Sequence, residues 1–163
     1  GIGAFSLSKD IGVSRREADQ YIKDYLAHYS GIDEYMKKSV ELAKERGYAE
    51  TIFGRRRYLP ELRSSNFNLR SFGERVARNM PIQGAAADII KIAMIKVQDR
   101  LEKEHMKSKL ILQVHDELIV EAPREEASKA ASLLREEMEG AVSLSVPMVA
   151  EATIGKTWYE AKS

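Results

Sequence analysis

Leu110-Ile-Leu-Gln-Val-His-Asp-Glu-Leu-Ile-Val-Glu121 is the stretch on which the fold of this chain turns. Two apolar runs, each short enough for a buried strand, flank the acidic pair Asp116-Glu117, with His115 beside it. The pattern reads as an antiparallel hairpin bent at its polar residues, which would set both carboxylates on a rigid tip. Carboxylates so close to apolar strands are costly unless an ion, hydrogen bonds or solvent compensates them. A hard divalent cation, which takes oxygen ligands, is one compensation. An ordinary hairpin with a solvated polar turn is the other, and the turn alone leaves both open.

Outward from the hairpin the periodicity becomes helical. Upstream, Ile89, Ile90, Ala93, Met94, Val97 and Leu101 mark the buried side of a helix from Ala85 to about His105. Downstream, a helix from about Arg124 to Glu139 carries the stripe Ala127, Ala130, Ala131, Leu134 and Met138, closed by Gly140. Met148, Ala150, Ala152 and Ile154 then alternate with Val149, Glu151 and Thr153, which predicts a last strand, and Pro147 suits an edge position.

The front of the chain is helical. Gly12 punctuates a short turn, and Ser14 with Glu17 forms a capping box for a helix to about Tyr29. Its stripe of Ala18, Tyr21, Ile22, Tyr25, Leu26 and Tyr29 reads as core-facing. A second helix from about Ile32 to Arg46 turns Ile32, Tyr35, Met36, Val40 and Ala43 inward and stops at Gly47. Tyr48 to Phe53 reads as a strand, with an arginine-rich loop after it, opened by Gly54. The helical pattern resumes at Ser71, and Pro81 either kinks that helix or starts a new one. Helices first, then an antiparallel hairpin with helices beside it, make the fold class α+β.

With 163 residues, 44% hydrophobic and 31% charged, the chain can bury a real globular core, and its length suggests one domain or one domain plus part of another. The absence of cysteine excludes disulfides and thiolate metal sites, and fits a reducing cytoplasm. No apolar run approaches the roughly 20 residues of a membrane span, and the N-terminus lacks an export signal. It also lacks an initiator Met, so a longer parent is expected.

Net charge is +1, yet Arg55, Arg56, Arg57, Arg63, Arg70, Arg75 and Arg78 face only Glu61 and Glu74 in their segment, leaving the remainder at −4. Arginine's planar fork suits bidentate contacts to phosphate and base edges, although arginines also anchor loops. Arg75, Asn79 and Gln83 are spaced at i, i+4 and i+8. If the helix continues through Pro81 they share one face, a row of donors suited to minor-groove acceptors. Helix capping by Asn79 is the structural alternative. Gly155-Lys156-Thr157 lacks the upstream glycine of a phosphate loop, and His28 and His105 have no partner at zinc-ligand spacing.

Taken together, these residues resemble the C-terminal part of the A-family DNA polymerases, the bacterial DNA polymerase I family. Gln113-Val-His-Asp-Glu-Leu-Ile-Val-Glu121 is similar to the family's third polymerase motif. Thr51-Ile-Phe-Gly-Arg-Arg-Arg-Tyr-Leu-Pro60 and Arg78-Asn-Met-Pro-Ile-Gln-Gly-Ala-Ala-Ala-Asp-Ile-Ile90 resemble two further stretches of the family. Gly1-Ile-Gly-Ala-Phe-Ser-Leu-Ser8 looks like the segment just after the family's fingers-helix tyrosine. The likeness spans essentially the whole chain in order.

The resemblance implies that residues 1–46 close the fingers and that residues 47–163 form most of a palm, an antiparallel sheet with the acidic hairpin at its centre. Asp116 would be a metal-binding carboxylate for two Mg²⁺ ions about 3.5–4 Å apart. Glu117 would support the same metal site, and His115 would touch the primer end. Arg75, Asn79 and Gln83 match positions lining the duplex minor groove, and Arg55, Arg56 and Arg57 would lie near nucleic acid. Partners would be primer-template DNA and deoxynucleoside triphosphates, in a bacterial cytoplasm near the nucleoid.

The family's other metal carboxylate sits in a motif like Asp-Tyr-Ser-x-x-Glu, and nothing here resembles it. Also missing are the fingers-helix Arg and Lys that hold the triphosphate. The expectation is therefore a part of a DNA-directed DNA polymerase that is inactive by itself and prone to self-association. A non-catalytic duplex-binding module is the alternative. A nuclease built on Asp116 and Glu117 would need further carboxylates converging on the pair.

Overall fold

The computed structural model describes residues 2–162. In chain order the elements are α1 (Ala4–Ile11), α2 (Arg15–His28), α3 (Ser30–Arg46), β1 (Tyr48–Glu50), β2 (Arg56–Tyr58), a 3₁₀ turn (Pro60–Arg63), α4 (Phe67–Lys103), β3 (Lys109–Val114), β4 (Glu117–Glu121), α5 (Ala127–Glu139) and α6 (Trp158–Ala161). They form two compact units that divide after Ala85, inside α4. Helices with small antiparallel sheets bear out the α+β class, and the sheets are two separate two-stranded hairpins.

In the first unit the capping box forms as expected. Ser14 Oγ accepts the Glu17 N–H at 3.2 Å, and the Ser14 N–H donates to the Glu17 carboxylate at 3.0 Å. Gly47, at φ 81°, ends α3 by donating its N–H to the Ala43 carbonyl, a left-handed backbone that glycine adopts without steric penalty. β1 and β2 pair antiparallel, Tyr48 opposite Tyr58, Ala49 opposite Arg57 and Glu50 opposite Arg56. Val40, Ala43, Ala49, Leu59, Leu62 and Ala77 form the core here, with Val76 and Met80 against it.

Several expectations for this unit need correction. The front turn is an eight-residue helix, α1. The strand foreseen to Phe53 stops at Glu50, and the supposed arginine loop is largely the return strand β2, because Gly54 at φ 80° reverses the chain early enough for pairing. Tyr21, Tyr25 and Tyr29 are exposed, as are Ile32 and Tyr35, so only Ala18, Val40 and Ala43 of the two stripes are buried. Helical periodicity marks a face that can be covered; it does not say that the same chain covers it.

α4 opens with Asn66, whose Oδ1 accepts the N–H groups of Asn68 and Leu69 at 2.9 and 3.4 Å, and it runs through Pro81 as one helix of 37 residues. In the second unit Ala93, Val97 and Leu101 of this helix pack with Leu118 of β4, Leu133 of α5 and Ala141. Glu126 clamps the entry to β3, accepting from the Lys107 N–H, the Ser108 N–H and the Ser108 hydroxyl at 3.1, 2.9 and 2.6 Å. Arg100 joins α4 to α5 through Glu136 and Glu137.

Two further corrections fall here. The hairpin strands are not equally buried: Leu118 is in the core, whereas Ile111 and Leu112 of β3 are exposed. Residues 148–154, expected as a strand, are irregular. Alternation supplies the side-chain pattern, but a strand also needs a partner for its N–H and C=O groups, and here the Ala150 N–H donates instead to Glu139. Among the described residues no helix is long and apolar enough to cross a membrane.

Candidate active site

The pairing of β3 with β4 brings Val114 opposite Glu117 and leaves His115 and Asp116 as a two-residue turn. Positive φ at the first central residue and not the second belongs to the type II′ hairpin turn, where glycine ordinarily stands; here His115 takes it at φ 54°. The Gln113 amide donates to the His115 carbonyl at 2.6 Å and steadies the turn. Ile111 has no opposite number, since Leu110 faces Val120 and Leu112 faces Ile119. This bulge sharpens the local twist just before the tip.

Asp116 is thereby exposed at the apex, its oxygens open to solvent or an ion. Glu117 is half-buried and engaged: Lys162 Nζ lies 3.0 Å from Oε1 and 3.3 Å from Oε2. An accessible carboxylate held on a rigid turn fits one arm of a site for a hard cation. Among the described residues no three His, Cys, Asp or Glu side chains converge to enclose a metal. The tip therefore offers part of a ligand set.

The row of donors on α4 forms as its spacing requires. Because α4 continues through Pro81, Arg75, Asn79 and Gln83 project from one exposed face of the first unit. Phe72 and Ile82 are exposed on the same side, and the Arg75 guanidinium lies 5.9 Å from the Phe72 ring centre. The opposite side of the helix buries Ala77 completely. A line of hydrogen-bond donors with apolar surface between them is thus presented on a rigid element.

The other arginines divide by what they touch. Arg56 pairs with Glu50 and lies over the Tyr48 ring at 4.6 Å, and Arg70 donates to the Ser64 carbonyl at 3.0 Å. Arg78 lies 3.9 Å from Glu74, whose carboxyl is held below the usual range chiefly by Lys44. Arg55 is bound into the turn through its backbone, donating to Thr51 Oγ1 at 3.3 Å, and Arg57 is exposed on β2. Lys162 was not foreseen. It lies 45 residues from Glu117, and neither periodicity nor motif couples two such positions.

Comparison with known proteins identifies the family to which the chain belongs. The model of DNA polymerase family A matches residues 1–160. DNA polymerase I of Bacillus subtilis is 50% identical over 162 residues, covering 99% of this chain and 18% of that protein. DNA polymerase I of Caldicellulosiruptor bescii is 48% identical over 162 residues, again 99% of this chain and 19% of the relative. The chain thus spans less than a fifth of the length of the curated relatives it matches. Among solved structures, the POL domain of Pol1 from M. smegmatis, in complex with DNA primer-template and dNTP, aligns with a TM-score of 0.95 at 40% identity, covering 100% of this chain and 29% of that one. On a family match of this extent, the chain belongs to DNA polymerase family A.

Proposed function

We propose that these residues form part of a DNA-directed DNA polymerase that adds deoxynucleotides to a primer 3′ end in replication or repair. The observation that carries the reading is Asp116, an accessible carboxylate on a rigid hairpin tip in a chain of family A. Residues 1–46 act as the closing part of the fingers and residues 47–163 as most of the palm. That division concerns roles in the intact enzyme and is separate from the two compact units.

Asp116 would hold divalent metal, two Mg²⁺ ions in the intact enzyme, with Glu117 at the edge of the same site. When bound, such ions activate a hydroxyl nucleophile and stabilise a leaving oxygen. The chain's own contribution is positioning. The II′-like turn fixes the direction of Asp116, and His115 beside it would touch the primer end. Arg75, Asn79 and Gln83 donate to minor-groove acceptors, which are similar at every base pair, so they hold duplex without reading sequence. Arg55 and Arg57 approach the backbone of the nucleic acid, while Arg56 mainly supports the hairpin through Glu50 and Tyr48. Primer-template DNA and deoxynucleoside triphosphates are the partners, in a cytoplasmic setting near the nucleoid.

Primer extension with Mg²⁺ and all four nucleotides tests the reading. In an intact polymerase carrying this segment, Asp116→Asn should slow incorporation by roughly a thousandfold, the scale of losing several kcal/mol of charge stabilisation. The 163 residues alone should not extend a primer. Normal speed in the Asp116→Asn enzyme would end the assignment. A second reading, a non-catalytic duplex-binding module, draws on the exposed row of α4. It predicts that Arg75→Ala abolishes the function of the whole protein, whereas a polymerase would lose affinity and keep measurable incorporation at high DNA concentration.

A further inference from the structure

The last residues of the chain return to the hairpin tip. Lys162 Nζ meets both oxygens of Glu117, at 3.0 and 3.3 Å, and the segment delivering it is tied down at several points. Thr157 Oγ1 caps α6 by accepting the Glu160 N–H at 3.2 Å, and the Glu160 carboxylate accepts the Lys156 N–H at 2.8 Å. The Thr153 hydroxyl donates to the Ala161 carbonyl. Gly155 passes so near this turn that a Cβ there would lie 2.6 Å from the Ala161 nitrogen. Finally, the Lys162 N–H donates to the Trp158 carbonyl at 3.1 Å.

An exposed ion pair adds little to stability, so stability alone does not account for this much local order around one ammonium group. Its location does. Glu117 is the immediate neighbour of Asp116, and two free carboxylates would jointly attract a divalent cation, since affinity rises with the number of charged oxygen ligands. An ammonium across both oxygens of one of them removes that option.

We propose that Lys162 is a positioning residue of the tip: it holds Glu117 aside, so that a divalent cation there is ligated by Asp116 and not by Glu117. This rests on the reading of Asp116 as a metal carboxylate. A cation held by one carboxylate at this tip stays weakly bound and exchangeable, as a site that must also admit substrate oxygens requires.

Mn²⁺ alone, bound to the 163-residue chain and monitored by water-proton relaxation, supplies the test. Lys162→Gln should tighten Mn²⁺ binding roughly three- to tenfold by freeing a second carboxylate. Adding Glu117→Gln to that variant should abolish the gain, Lys162→Arg should behave as wild type, and Lys156→Gln, an equal charge change in the same segment, should have no effect. Unchanged binding in Lys162→Gln, or an equal gain in Lys156→Gln, overturns the role of Lys162. Asp116→Asn separates this from the reading beneath it. Binding lost on Asp116→Asn but indifferent to Lys162 defeats only the present proposal, whereas binding that survives Asp116→Asn defeats both.

Discussion

His115 stands in the left-handed region, φ 54°, where a side chain with a Cβ is uncommon and a β-branched one is a clear outlier. Stability and function should therefore separate at this position. Changing His115 to Gly should leave the stability of the chain equal or higher by up to about 1 kcal/mol, relief of backbone strain being partly offset by a freer unfolded chain. His115→Val should cost about 1–2 kcal/mol. On the role proposed for His115 at the primer end, both should impair extension in an intact polymerase, because each removes the imidazole. Thermal unfolding of the two variants decides it, and a Gly variant markedly less stable than wild type would contradict the strain argument. At this scale the sequence was informative where chemistry is local: Ser14 and Glu17 cap α2 as their spacing requires, and the acidic pair sits at a turn. It was silent on Lys162, because a contact across 45 residues is set by the path of the whole C-terminal segment.

Among the elements, α4 depends on a close approach that only glycine permits. A Cβ on Gly84 would lie 2.6 Å from Thr51 Cγ2, a short, stiff, buried group that cannot swing aside. Although alanine is the better helix former, Gly84→Ala should destabilise the chain by about 1–3 kcal/mol through overpacking. Thr51→Ser removes the offending methyl but keeps the hydroxyl that accepts the Phe53 and Arg55 N–H groups, so the double variant should recover part of the loss. Chemical denaturation of the two singles and the double checks this, and strictly additive effects would refute the steric coupling. The elements also show where pattern reading stops. α2 was legible from its capping box and periodicity, and α3 and α5 from periodicity and the glycines, Gly47 and Gly140, that close them. Pro81 left two options because missing one N–H need not end a helix of 37 residues whose flanking turns are packed. Residues 148–154 alternate like a strand yet stay irregular, since no residue types announce whether a pairing edge is present.

For the molecule as a whole, carboxylates set the acid limit. Glu104 is held below the ordinary value of 4.5 mainly by Lys129 and then Arg100, and Glu126 below the same value of 4.5 by the Ser108 hydroxyl and the Lys107 N–H. Depressed folded-state values mean stability that is present above about 4.5 and lost as pH falls through the lower folded values. Thermal midpoints should thus decline below roughly pH 4.5, and Glu126→Gln should give a shallower decline; parallel profiles would count against this. Association is governed by surface rather than charge. Val149 is 78% and Ile154 58% exposed, in the same segment as exposed Val146, and β3 exposes Ile111 and Leu112. Apolar side chains left open in such number favour contact between copies, while the bulge at Ile111 opposes open-ended pairing along the β3 edge. The expected result is reversible association into small oligomers. Light scattering across a dilution series should show mass rising with concentration, and Val149→Lys with Ile154→Lys should shift the chain toward monomer without lowering its thermal midpoint, because neither side chain is in the core. A wild-type chain strictly monomeric across that series would mean that water covers these side chains without driving them together.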